Sequence, residues 1–125
     1  MKKVLFSLMF ATIMNFQALA IAQSSKVKTY TIKEGVNWEW TAVCVVEGSE
    51  NRFECTQRNR SGATIDGVYN VSFQDNGKSV SMTKIQKNNG VKCTYNAVKV
   101  QGENLYRGTY SCDGVNIHNW SLEIN

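Results

Sequence analysis

"CTYNAVKVQGENLYRGTYSC", residues 93–112, opens and closes on cysteine, and the relation between those two cysteines decides the fold. Two β-rich runs, VKCTYNAVKV and LYRGTYSC, flank the turn-like QGEN. Pairing Val100 with Leu105 sets Tyr95 opposite Tyr110 and Cys93 opposite Cys112. Directly opposed residues of an antiparallel pair lie about 4.5 or 5.5 Å apart at Cα, inside disulfide range. The stretch therefore reads as a clasped hairpin.

The same reasoning works upstream. Every second residue from Val36 to Val46 is apolar or cysteine, which predicts one strand with Trp38, Trp40 and Cys44 on its buried face. EGSEN breaks the alternation and RFECTQ resumes it. Pairing Val46 with Phe53 then brings Cys44 opposite Cys55. Four cysteines allow three connectivities, and the two registers favour the sequential one. Rival uses of the thiols fail on spacing. There is no C-x-x-C redox pair, the cysteines do not come as close ligand pairs, and His118 is the only histidine for zinc. No metal and no cofactor is expected.

Disulfides in a short chain imply an oxidising compartment, and the N-terminus agrees. MKK is followed by an apolar run from Val4 to Met14 and then by NFQALAIAQ, where Ala18-Leu19-Ala20 and Ala20-Ile21-Ala22 offer cleavage frames. A signal peptide over 1–22, cut after Ala22, leaves one domain over 23–125, periplasmic or secreted. The apolar run is shorter than the ~20 residues that span a bilayer, so no stable membrane anchor is expected after cleavage. Of 14 Lys and Arg against 10 Asp and Glu, two leave with the leader, so the mature charge is near +2. The basic residues are scattered and form no stripe, which argues against nucleic acid as a partner.

The remaining segments are also strand and turn. GVYNVSF puts Tyr69, Val71 and Phe73 on one face, DNG at Asp75–Gly77 marks a hairpin, and KSVSMTKI places Val80 and Met82 inward. Ile85 is out of phase, which predicts a bulge. NWSLEIN closes the chain with Trp120, Leu122 and Ile124 on one side. The expected fold is all-β: a small single-domain antiparallel meander barrel, or a sandwich, of seven to eight strands with two disulfide-clasped hairpins. The absence of proline removes one usual protector of sheet edges and favours closure.

Catalysis has little to stand on. His118 titrates near neutrality, but Ser121 and Asp113 carry no local mark of activation, and neither G-x-S-x-G nor H-E-x-x-H occurs. The chain is expected not to be an enzyme. QRNRSGAT, residues 57–64, reads as a loop whose Arg58, Arg60 and Ser61 form an exposed partner-binding tip, since arginine is enriched at interface hot spots and pairs carboxylates bidentately. The expected function is a protein-binding module of the bacterial envelope, an inhibitor or immunity factor of a secreted hydrolase such as a lysozyme. The alternative is a lipocalin-like barrel that takes a sugar or an apolar molecule at a mouth formed by Trp38 and Trp40. In its export signal, all-β build and TYSCDG strand end the chain resembles the small periplasmic lysozyme inhibitors in a general way. That resemblance carries no functional residue across.

Overall fold

The computed structural model describes residues 27–125; the expected signal peptide lies outside them. Eight antiparallel strands follow one another around a closed barrel: β1 Val27–Glu34, β2 Trp40–Glu47, β3 Arg52–Asn59, β4 Thr64–Gln74, β5 Ser79–Gln86, β6 Lys92–Lys99, β7 Leu105–Ser111 and β8 His118–Ile124. Closure is made by β8 returning to β1, from Tyr30↔Ile124 to Glu34↔Trp120. The meander barrel is thus the architecture, and the sandwich is not.

Both expected registers hold. Thr94↔Ser111 to Lys99↔Tyr106 places Tyr95 opposite Tyr110, and Cys93 bridges Cys112. Trp40↔Asn59 to Ala42↔Gln57 has the register that brings Cys44 to Cys55, and these two are bridged with Cα atoms 5.6 Å apart. The two clasps differ in setting. The β6–β7 ladder runs up to its disulfide, whereas the β2–β3 ladder stops at Ala42↔Gln57 and the disulfide spans the seam beyond it. Two disulfides indicate folding in an oxidising environment.

Alternation fills the interior. Tyr30, Ile32, Val46, Tyr69, Val71, Val80, Met82, Tyr95, Trp120 and Leu122 are all buried, as expected of a small barrel packed with side chains. Aromatic rings meet across strands: Phe53 stacks on Tyr69 at 5.3 Å, Tyr95 on Tyr110 at 4.9 Å, and Trp120 stands edge-on to Tyr95 at 4.9 Å. Gly108 makes room for this. Trp120 pairs with it and sends its indole N–H past it to the Asn96 carbonyl at 3.0 Å. A Cβ at Gly108 would stand 1.9 Å from that carbonyl oxygen.

Three expectations need correction. The strand over Val36–Val46 begins only at Trp40, because Gly35, Asn37 and Trp38 all take positive φ and the segment Val36–Trp38 turns as a short 3-10 helix, here η1. Trp38 therefore does not share the buried face with Cys44. The β4–β5 ladder runs without interruption from Gly67↔Gln86 to Gln74↔Ser79, so there is no bulge at Ile85. Ile85 faces outward because Lys84 occupies the inward position. Finally, Gln57, Arg58 and Asn59 belong to β3, and the β3–β4 connection is only Arg60 to Ala63.

Candidate functional site

Four connections gather at one end of the barrel: η1 between β1 and β2, the β3–β4 turn, the β5–β6 turn, and the β7–β8 loop. Since β2 pairs with β3 and β1 with β8, η1 sits between the β3–β4 turn and the β7–β8 loop. These three neighbours form the candidate site.

Each is held by local hydrogen bonds. In the β3–β4 turn the Asn59 side-chain oxygen accepts from Ser61 N at 3.1 Å, Ser61 Oγ at 2.8 Å and Ala63 N at 2.9 Å, an Asx arrangement that fixes the tip. Arg60 leans across and donates from Nη2 to the carbonyl of Asn37, tying this turn to η1. Gly35 N donates to Asn119 O at 3.0 Å, tying η1 to β8. In the β7–β8 loop Asp113 accepts from Val115 N, Asn116 N and Asn116 Nδ2 at 2.6–2.9 Å, and Ser111 Oγ donates to it at 3.0 Å. Those donors, the Asn116 and Val115 backbone amides first, hold the Asp113 carboxyl well below the usual carboxylate range.

Onto this frame the rim projects apolar side chains. Val36 is 73%, Val115 80% and Ile117 69% exposed. Arg60 and Ser61 stand at the exposed β3–β4 turn, Arg60 bonded next to Val36 with Val115 and Ile117 on the far side of η1, while Arg58 points outward from β3, opposite Thr41 and Thr64. The structure thus brings Arg60 and Ser61 together with η1 and sets Arg58 on the neighbouring outer wall. It separates the two tryptophans. Trp40 is half-buried on the inward side of β2, in phase with Ala42 and Cys44, whereas Trp38 leaves the mouth and lines grooves on the outer wall. His118 and Ser121, three apart on one strand, face opposite sides of the barrel, and Asp113 is engaged by its own loop.

Beneath the rim lies a polar cluster that sequence reasoning missed. Lys84 Nζ donates to Glu34 Oε1 at 3.1 Å and to Gln57 Oε1 at 2.6 Å, and the Tyr95 hydroxyl donates to Glu34 Oε2 at 2.5 Å. All four side chains are buried. Burial, more than the attraction of Glu34, governs the Lys84 ammonium and moves its pKa down. The signal was there to find: Lys84 is in phase with Val80 and Met82, Gln57 with Phe53 and Cys55, Glu34 with Tyr30 and Ile32. Val36, Val115 and Ile117 had no such signal, since isolated valine and isoleucine in loops look like strand residues. Among the described residues no cluster of histidine, cysteine, aspartate and glutamate has the geometry to hold a metal ion.

No family model matches the chain, and no curated protein or solved structure matches it either.

Proposed function

We propose that this chain is exported to the bacterial envelope or beyond and acts there as a non-enzymatic protein-binding module, an inhibitor or immunity factor of a secreted hydrolase such as a lysozyme. The observation that carries the reading is the rim: three adjoining connections, hydrogen-bonded in place over a filled barrel, expose Val36, Val115 and Ile117, with Arg60 bonded to η1 next to Val36. Apolar side chains grouped on a surface and bordered by polar ones mark interaction sites. Rigid presentation lowers the entropy lost on binding. The charge fits the proposed target, because glycosidases work with paired carboxylates in a cleft and arginine pairs carboxylates bidentately. A guanidinium has five donors, and Arg60 uses one on Asn37 O.

The carrier alternative calls for room inside the barrel, and the positions that would line such a cavity are occupied by Tyr69, Tyr95, Trp120 and the Lys84 cluster. The protein reading is the better supported. Its test is affinity capture from envelope and host secretions on the oxidised protein, followed by assay of the captured protein's hydrolytic activity with and without the barrel. A hydrolase retained and slowed in proportion to barrel added is the expected result. Retention of a protein whose activity is untouched would remove the inhibitor assignment.

A further inference from the structure

The outer wall formed by β7, β8 and β1 presents a second surface, whose grooves neither Arg58 nor Arg60 lines. The registers place Arg107, Ser121 and Lys33 in one row across the three strands, with Thr109 and Asn119 on the rim side and Glu123 and Thr31 on the other. Trp38 reaches this wall from η1. It lines one groove of about 140 Å³ with Lys33, Arg107, Ser121 and Glu123, and another of about 510 Å³ with Arg107, Thr109 and Asn119. Trp38 and Arg107 are common to both grooves. The indole is 38% exposed, whereas Ser121, although on the outer face, is only 6% exposed. Asn37 and Trp38 both hold φ near +55°, a conformation that costs free energy in non-glycine residues and that sets the indole on the wall instead of in the mouth.

The chemistry of this surface is specific. One aromatic face and the Leu105 side chain are bordered by hydroxyls, a carboxamide, two cations and one carboxylate. An apolar molecule would leave those polar groups desolvated without partners. A peptide strand adding to the sheet needs an unpaired edge, and β7, β8 and β1 are each paired on both sides. A saccharide has what the wall asks for, with C–H faces to lie on the indole and hydroxyls for Thr109, Asn119 and Glu123. Lys33 and Arg107 against Glu123 leave one positive charge in excess, and the arginine fork suits a carboxylate. Two grooves that share a tryptophan suit a run of linked rings better than a single one.

We propose that this wall binds an acidic oligosaccharide, with Trp38 stacked on one ring and Arg107 and Lys33 holding a carboxylate. The proposal does not rest on the protein-target reading. It is tested by titrating the oxidised mature protein with trigalacturonate and, separately, with neutral cellotriose, following heat and tryptophan fluorescence. Trigalacturonate is expected to bind and to change the fluorescence, and Trp38→Ala or Arg107→Gln to weaken it by at least about tenfold. Arg107→Gln is a surface change that leaves the fold in place, so the test survives if Trp38→Ala folds poorly. Arg58→Ala, on the β3 wall and without a bond to η1, should bind the sugar normally. No binding of trigalacturonate at millimolar concentration, equal binding of cellotriose, full affinity in Arg107→Gln, or loss of affinity in Arg58→Ala would each overturn the assignment.

Discussion

Lys84 and Glu34 form a buried ion pair 3.1 Å long inside a barrel packed mainly with aromatic and aliphatic side chains. Such a pair contributes little net stability against an apolar replacement of both members, but removing one member strands the other without compensation. Lys84→Met should therefore lower the unfolding free energy by about 3–5 kcal/mol in urea denaturation, and adding Glu34→Gln should restore part of that loss. The tyrosines nearby behave unequally. Tyr95→Phe removes a hydrogen bond to a carboxylate and should cost about 1.5–3 kcal/mol. Tyr69→Phe removes a hydroxyl that has no partner among the described residues and should leave stability unchanged or slightly raised in the same assay. Gly108→Ala brings a methyl against the Asn96 carbonyl and should cost at least about 2 kcal/mol through forced strand separation. At this scale the sequence was partly legible. Period-two alternation points Lys84 inward, but a lone strand does not reveal that Glu34, fifty residues away, is its partner. Without a partner in view, the apolar Ile85 standing out of phase suggests a bulge instead.

The hairpins were the most legible elements, because a disulfide demands a register and the apolar pattern independently supplies the same one. Each clasp closes a loop worth about 3 kcal/mol on the chain-entropy model, but the structure assigns them different local effects. Removing Cys44–Cys55 by alanine substitution should speed amide exchange in Val43–Glu47 and Arg52–Thr56, where no β2–β3 ladder pairs the strands. Removing Cys93–Cys112 should leave β6 and β7 protected and loosen the β7–β8 loop instead, since their ladder persists to Thr94↔Ser111. Hydrogen exchange resolved by residue checks both, and equal loosening of the two hairpins would contradict the account. The η1 segment was the least legible element. Alternation counts side chains and is blind to φ, so Val36 and Trp38 continued the strand on paper. Gly35 was the one local hint that the chain leaves the sheet there, because its φ of +87° is open to glycine at little cost. The loops' exposed Val36, Val115 and Ile117 became visible as a group only once closure had placed their elements side by side.

Closure of the whole molecule followed from strand number, successive turns and a continuous inward face, and it has a consequence for alkaline stability. All five tyrosines lie above their ordinary pKa of 10.0, chiefly through burial, with Tyr110 pushed up to about 12. A group whose folded pKa is raised stabilises the fold fully below its unfolded pKa and loses that contribution as pH climbs toward the folded one. Tyr69, Tyr95 and Tyr110 should thus stay protonated at pH 10 in the native barrel, which should unfold cooperatively as pH rises toward 12 and beyond. Lys84, lowered by burial, acts in the opposite sense, but it is one group against five. Ionisation of all five tyrosines near pH 10 in a folded protein, followed by absorbance and near-ultraviolet dichroism together, would show that Tyr69, Tyr95 and Tyr110 are not enclosed. The same rigidity underlies the proposed function, in which the barrel holds a rim against another protein. The most direct test is the dissociation constant of the captured target for the wild-type barrel and for the Arg58→Ala, Arg60→Ala double variant, with thermal midpoints measured alongside. Loss of about 2 kcal/mol or more of binding at an unchanged midpoint is the predicted result; equal affinity for both barrels would contradict it.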